Sequence, residues 1–264
     1  MIRYTQVVFI FIILFSSCQK VVELNLNNTA PQIVIQGEVT DAKGPYTITI
    51  NQSVDFYSNN AFPAVSGAIV KISDNQGAVD SLTEMSPGVY TTHFLQGEPG
   101  NTYTLSVLAQ NNSFSAVSTM PMPVPLDSVT LESTSGFGQT RINAIVNFQD
   151  PAGIANYYEF VEFINEQPFK NNIFVFNDRL SDGKYISTTL RTDSAYISLR
   201  DQVEVKMYSV DENTYNYFNQ LKESSGTGAF NSTASPANPT TNITGGSLGY
   251  FSAHTTQSRT IIVF

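Results

Sequence analysis

The sequence predicts a mainly β protein, with an N-terminal immunoglobulin-like β-sandwich followed by a second β-rich domain with one covering helix. Three observations lead to this prediction. Apolar and polar residues alternate over many short runs, turn residues separate these runs at intervals of roughly 8 to 12 positions, and a proline-rich segment divides the 264-residue chain near its middle.

The clearest alternation lies at positions 33–40, where Ile33, Ile35 and Val39 occupy one side of a predicted strand and polar residues the other. This period of two is typical of an antiparallel strand with one buried face. Turn residues such as Ser86-Pro87-Gly88 separate it from later runs. The further strand-like runs of the first half are 46–50, 68–73, 79–83, 89–94, 103–109 and 114–118.

Prolines at 121, 123 and 125 interrupt the pattern in the segment TMPMPVPL. Proline fixes φ and disfavours a helical conformation of the preceding residue, so this segment predicts a stiff extended linker at 121–126. The sequence therefore predicts a first sandwich at 31–120 and a second domain at 127–264.

The second half again predicts strands, at 127–133, 141–148, 157–164, 173–176, 195–199, 203–210 and 259–264. One helix is predicted at 211–223, since Asp211 suits an N-cap and Tyr215, Phe218 and Leu221 recur at helical spacing. We interpret this aromatic stripe as packing against the sheet. The uncharged polar segment 224–246 that follows predicts a long loop, either a binding loop or a solvated one without a role.

The N-terminus has the pattern of a secretory signal at 1–17: Arg3, the apolar run VVFIFIILF, two serines and Cys18. Nine apolar residues are too few for the roughly 20 that a membrane-spanning helix needs. Cys18 is the single cysteine of the chain and follows LFSS, which resembles a bacterial lipobox with Phe15 in place of the preferred Leu. We expect lipid on Cys18 and a tether at 18–30, with either face of the outer membrane open for the body.

The net charge of -9, with 22 acidic against 13 basic residues, argues against a nucleic-acid partner. Phosphate binding needs Lys and Arg clustered on one face, and the sequence contains no such run.

Candidates for chemistry are few. The two histidines, His93 and His254, fall in different predicted domains and show no nucleophile motif nearby. Glu159 and Glu162 are the acids we would inspect for a glycosidase-like pair. We predict no catalytic residues, no cofactor and no metal ligands; a zinc site lacks ligands, and ordinary turns explain the loops 74–77 and 178–183, although calcium remains open there.

Several segments occur in an order that resembles a known family: the lipobox, VIQGEVTD at 34–41, the sandwich, PVPLDSV, VKMYSVDENTYNYFNQL and NPTTNITGGSLGYFSAH. Together they resemble the Bacteroidota outer-membrane lipoproteins of the domain-of-unknown-function 4249 type. In the first domain, the segments 67–70, 88–90 and 103–107 also resemble those of prealbumin-like or carboxypeptidase-regulatory sandwiches, which makes the predicted fold an immunoglobulin/prealbumin-like β-sandwich. The resemblance implies a lipoprotein encoded beside TonB-dependent transporters and carries no catalytic residues. In the late element, glycines 245, 246 and 249 suit a tight turn and close backbone approach.

The sequence thus favours a non-enzymatic accessory or binding subunit of a TonB-dependent transporter or another outer-membrane β-barrel. Independent binding of a surface glycan or peptide is the alternative, and a hydrolase is the third hypothesis. The residues that we expect to contact a partner lie late in the chain: Phe230, Asn238, Asn242, Tyr250 and Phe251.

Overall fold

The computed structural model describes residues 30–54, 62–136, 139–169, 173–191, 197–224 and 237–264. Alternating apolar and polar side chains make almost every element a strand, which confirms the mainly β class. The strands are β1 (Ile33–Thr40), β2 (Thr47–Gln52), β3 (Ile69–Asp74), β4 (Val79–Ser81), β5 (Thr83–Ser86), β6 (Val89–Thr91), β7 (Thr102–Ala109), β8 (Asn112–Thr119), β9 (Ser128–Gly136), β10 (Gln139–Gln149), β11 (Tyr157–Ile164), β12 (Gln167–Pro168), β13 (Phe174–Asn177), β14 (Tyr185–Leu190), β15 (Gln202–Val210), β16 (Ile243–Thr244) and β17 (Leu248–Ile262). The helix in the described part is α1 (Glu212–Ser224), which confirms the covering helix predicted there.

The strands form three sheets. The largest has nine strands in the order β12-β11-β15-β17-β1-β2-β6-β5, with β13 also paired to β11. A five-stranded sheet has the order β16-β8-β7-β3-β4, and a three-stranded sheet the order β14-β10-β9. The large sheet contributes one face to two separate hydrophobic cores.

The first core lies between the large sheet and the five-stranded sheet. Ile35, Ile48 and Phe251 from the one and Leu105 and Tyr103 from the other have no exposed surface. Removing such side chains from water stabilises the fold by about 2 kcal/mol each, so the alternation seen in the sequence directly produces this sandwich.

The second core is rich in aromatic rings. Phe148 of β10 meets Tyr158 of β11 edge-to-face with 4.8 Å between ring centroids, and Phe160 and Met207 complete the same buried group. This geometry is favourable for aromatic pairs. This buried group of side chains links the three-stranded sheet to the β11–β15 part of the large sheet.

Strand β17 belongs to both halves. Its residues 248–254 pair in parallel with β1, and residues 255–262 pair antiparallel with β15. Residues 31–264 accordingly form one compact unit. The predicted linker falls where the chain passes from the first core, which contains Met120, to the second, which contains Val124 and Leu126. The segment after Ile243 then returns to the first core, which the division at 127 did not anticipate.

The first half of β17 lies beyond the end of β15, so the backbone N–H and C=O groups along this edge of β17 need other hydrogen-bond partners. Asn242 supplies two of them: its Nδ2 donates to the Phe251 carbonyl at 2.7 Å, and its Oδ1 accepts from the Phe251 N–H at 3.0 Å. The Ala253 N–H donates to Ser118 Oγ at 2.8 Å, and that hydroxyl donates to the Asp211 carboxylate at 2.6 Å. These side chains satisfy buried backbone groups that would otherwise be costly.

Glycines allow β17 to approach β1. Gly249 has φ +99°, and a Cβ at this position would lie 1.9 Å from the Ile35 carbonyl oxygen. Gly245, with φ +95°, similarly lies against the Ser113 carbonyl. The expected close approach of the backbone is therefore present at both positions.

Among the described residues, no helix combines the length and the apolar character required to cross a membrane.

Candidate functional site: a polar groove beside the covering helix

The outer face of the large sheet, opposite the two cores, carries an unusual set of polar side chains. The register places Glu38 beside Ser252 and Thr40 beside His254 on neighbouring strands β1 and β17. On β15 and β11, Tyr208 and Glu159 lie opposite each other. This outer face therefore brings together Glu38, Thr40, Glu159, Tyr208, Tyr250, Ser252 and His254.

Helix α1 covers part of this outer face. Tyr217 and Phe218 contact the Tyr250 ring with centroid distances of 5.0 and 4.9 Å, and Tyr215 contacts Tyr157 at 5.3 Å. The helix begins after Asp211, whose Oδ1 accepts the Thr214 N–H at 2.8 Å as an N-cap does. The sequence placed the packing stripe on Tyr215, Phe218 and Leu221, whereas the most deeply buried ring is Tyr217.

A groove of about 410 Å³ opens on the uncovered part, over β1 and β2. Tyr250 forms one wall, and its hydroxyl donates to Glu38 Oε1 at 2.7 Å, which fixes the carboxylate in the groove. The remaining polar lining is one ammonium, one amide and four hydroxyls, supplied by Lys43, Gln36, Thr40, Tyr46, Thr47 and Thr49. Such a surface offers both donors and acceptors to a polar ligand.

The titratable groups beside the groove are held mainly neutral. Burial, with a further contribution from Glu38, raises the pKa of Glu159 to about 8, so this side chain is protonated at neutral pH. Burial and the same carboxylate raise the pKa of Tyr250 well above its ordinary value, which keeps the phenol a hydrogen-bond donor. Burial also lowers the pKa of His254, although acidic neighbours, Glu38 first, oppose this shift.

His254 is enclosed on the outer face of the large sheet. Its Nδ1 lies 3.1 Å from Ser252 Oγ, and its ring packs on Tyr208 with 4.5 Å between centroids. Only 3% of the residue is exposed. The imidazole is therefore packed within the sheet face and is closed to solvent.

The other histidine of the chain, His93, lies on the first sandwich. Its Nδ1 is 3.1 Å from Asp80 Oδ1, and its Nε2 is 2.8 Å from Thr83 Oγ1. The buried Asp80 also accepts the backbone N–H groups of residues 93–95. Burial raises the pKa of this carboxyl, but these hydrogen bonds outweigh it and the pKa is lowered. The arrangement secures the end of β6.

Glu159 and Glu162 point to opposite faces of β11, because they are an odd number of positions apart on one strand. Glu159 is on the outer face, and Glu162 is 2% exposed on the face of the second core. Neither oxygen of Glu162 has a hydrogen-bond partner among the described residues. The two acids that we would inspect for a glycosidase-like pair therefore do not converge.

The residues that we expected to contact a partner have different surroundings in the structure. Asn238 is exposed, Tyr250 lines the groove, and the Asn242 side chain is engaged with β17. Phe251 is fully buried in the first core, which corrects the expectation that its ring faces a partner: on β17, odd positions face the core. Phe230 lies outside the described residues.

Cys18 and most of the tether also lie outside the described residues. Glu38 and Lys43 were not among the site residues predicted from the sequence, although the polar positions of β1 marked its outer face. Of the two calcium-candidate loops, 74–77 is an ordinary turn, because Asp74 Oδ1 accepts the N–H groups of Gln76 and Ala78 at 2.9 and 2.8 Å.

The body is mainly β, with one covering helix and a polar groove on the outer face of its largest sheet. The chain matches the family described as domain of unknown function DUF4249 over residues 19–260, and it belongs to that family. No curated protein shows significant similarity to the sequence.

Three solved structures share limited similarity. A DUF4785 family protein from Legionella pneumophila is 14% identical, with a TM-score of 0.28, over 67% of this chain and 52% of its own, so the match spans about half of that protein. A two-domain fibronectin type III segment of chicken tenascin is 12% identical, with a TM-score of 0.22, over 68% of this chain and 90% of its own. The adhesin InvE of Yersinia pseudotuberculosis is 16% identical, with a TM-score of 0.23, over 67% of this chain and 55% of its own. These values carry no argument about function.

Proposed function

We propose that the protein is a lipoprotein of the Bacteroidota outer membrane, anchored by lipid on Cys18. In this role it is a non-enzymatic accessory or binding subunit of a TonB-dependent transporter or another outer-membrane β-barrel complex. The observation that carries the binding role is the groove over β1 and β2, where Tyr250 holds the Glu38 carboxylate at 2.7 Å beside exposed hydroxyls and Lys43.

The geometry of the groove suits recognition better than catalysis. Its carboxylate already accepts the Tyr250 hydroxyl, and His254, on the same sheet face, is 3% exposed and does not line the groove. A general base must reach the proton that it removes, either directly or through one water. Fixed donors and acceptors on a rigid strand surface instead provide orientation and specificity.

The position of the groove supports docking of a partner. It lies on β1 and β2, next to the point where β17 joins the strands of the two cores. Because β17 is hydrogen-bonded to both β1 and β15, the strands that form the groove are connected through the backbone to both halves of the molecule. Such a connected surface suits a subunit that stays bound to a large membrane complex.

The anchor is tested by the change Cys18→Ala. We expect wild-type protein to incorporate labelled fatty acid and to remain with the outer-membrane fraction, since a thioether-linked lipid requires the thiol. The Ala variant should lose the label and leave the membrane fraction. The exposed Ser66→Ala change serves as a handling control, and retention of label in Cys18→Ala would contradict the anchor.

The partner is tested by affinity purification of the lipidated protein from gently solubilised outer membranes. We expect a stoichiometric β-barrel protein in the eluate. The variant Thr47→Arg, which fills the groove from an exposed strand position, should reduce the recovered barrel at least 10-fold. Arg at the exposed Thr130 of β9 is the matched control. Recovery of the protein without a barrel would contradict the accessory role.

A second function is binding of a glycan or peptide without a barrel, which the mixture of hydroxyls, amide and carboxylate in the groove favours. It predicts binding by the soluble body alone in a glycan and peptide screen, and loss of that binding in Thr47→Arg. Retained binding in this variant would place the ligand elsewhere.

A further inference from the structure

The groove over β1 and β2 contains one fixed negative charge. The Tyr250 hydroxyl holds Glu38 through Oε1 at 2.7 Å, whereas Glu38 Oε2 accepts no hydrogen bond among the described residues. The Glu38 side chain is exposed to solvent. Of the lysines and arginines that the structure describes, none forms an ion pair with it. The carboxylate therefore offers a ligand one free oxygen and an uncompensated charge.

The charge of Glu38 acts on its neighbours on the same sheet face. Burial first and Glu38 second raise the pKa of Glu159 and the pKa of Tyr208. The same two causes raise the pKa of Tyr250. Burial lowers the pKa of His254, and Glu38 opposes this shift. All four groups are mainly neutral at neutral pH, so none of them compensates the carboxylate.

The rest of the lining can accept hydrogen bonds from a donor-rich ligand. Gln36 and Thr47 are exposed, and no hydrogen bond occupies either side chain among the described residues. A guanidinium has five N–H donors in a planar fork, no acceptor and a permanent positive charge. A primary ammonium offers three donors from a single point, and a neutral sugar offers no charge. The guanidinium therefore matches this surface best.

The only cation in the groove lining is Lys43, which lies on the exposed segment between β1 and β2. Its ammonium forms no ion pair among the described residues, and a lysine side chain is long and flexible. The fixed Glu38 carboxylate, rather than this mobile ammonium, therefore determines the sign of the ligand. The net charge of -9 on the whole chain also favours the approach of a positive partner.

We propose that the groove binds an arginine side chain of a protein partner, with the guanidinium donating to the Glu38 carboxylate. This inference rests on the proposed binding role and names the group that the groove recognises. Charge complementarity identifies the occupant, since the carboxylate is fixed, exposed and without a cation. Hydrogen bonds between a guanidinium and a carboxylate are about twice as strong as those between neutral groups.

The test is a ligand titration of the full chain, observed by saturation-transfer NMR on the ligand. The probe is Nα-acetyl-arginine amide. Its matched control is Nα-acetyl-citrulline amide, which has nearly the same shape and no charge. We expect the arginine probe to bind at least about 10-fold more tightly than the citrulline probe. Equal binding of the two probes, or no binding of either, would overturn the inference.

Three variants localise the interaction. Glu38→Gln keeps an oxygen to accept the Tyr250 hydroxyl but removes the charge, so the arginine probe should bind at least about 10-fold more weakly. Glu166→Gln, at an exposed turn outside the groove lining, should bind like wild type. Lys43→Ala removes a like charge and should tighten binding roughly 2-fold. Unchanged binding in Glu38→Gln would overturn the site, and weaker binding in Lys43→Ala would indicate a ligand with both charges instead.

The outcome is separable from that of the barrel purification. Recovery of a barrel without binding of the arginine probe would overturn the arginine assignment and leave the accessory role in place. Binding of the arginine probe without recovery of a barrel would support the arginine assignment and contradict the accessory role.

Discussion

Replacing Gly249 by Ala is expected to destabilise the protein by at least about 3 kcal/mol. The reason is twofold: φ is +99°, and the added Cβ would lie 1.9 Å from the Ile35 carbonyl oxygen, which is backbone that cannot move aside without opening the β1–β17 pairing. Urea unfolding of the body from residue 31 onward measures the effect.

The matched control is Gly246→Ala. Gly246 also has a positive φ, +83°, but no atom lies within 4 Å of the Cβ position. This variant should lose only about 1 to 2 kcal/mol, the usual cost of a left-handed conformation with a side chain. Equal losses in the two variants would show that the contact between β17 and β1 is looser than described.

Replacing Glu162 by Gln is expected to stabilise the protein at alkaline pH by up to about 3 kcal/mol. Burial raises the pKa of this carboxyl to about 7, because its oxygens have no hydrogen-bond partner among the described residues and its neighbours are Phe160 and Val205. The charged form is thus penalised in the folded state and well solvated in the unfolded one.

The sign of the pH dependence follows from this raised pKa. Between the unfolded value of about 4.3 and the folded value of about 7, the folded state binds more protons, so stability falls as the pH rises and the penalty is complete above pH 7. Glu162→Gln should therefore match wild type near pH 4 and exceed it at pH 8. Glu166→Gln, an exposed acid in the next turn, is the control. A wild-type advantage at pH 8 would indicate that the carboxylate has a partner.

Much of the fold could be predicted from local pattern. The strand predicted at 157–164 coincides with β11, and the helix predicted from Asp211 begins one residue later. In both places the information is carried by neighbouring residues: strict alternation in the strand, and a capping aspartate in the helix.

Strand β17 shows where local pattern is insufficient. The sequence predicted a strand only at 259–264, because the segment SAHTTQS has no apolar alternation. It is nevertheless extended, and five consecutive residues from Phe251 to Thr255 are buried. Phe251 and Ala253 belong to the first core, and His254 packs on the other face against Tyr208. Tertiary contacts on both faces replace the usual sequence signal.

The groove was not predictable for a related reason. Glu38 and Tyr250 are 212 positions apart, and they meet because β1 and β17 pair in parallel. The register of such a distant pairing leaves no trace in either segment alone.

The most direct test of the binding role is photo-crosslinking in intact cells, with a photoreactive residue at Thr47 in the groove or at Thr130 on β9. The account predicts one outer-membrane β-barrel protein crosslinked from position 47 and none from position 130. Crosslinks of equal yield from both positions, or a crosslink from position 130 alone, would contradict a partner bound at the groove.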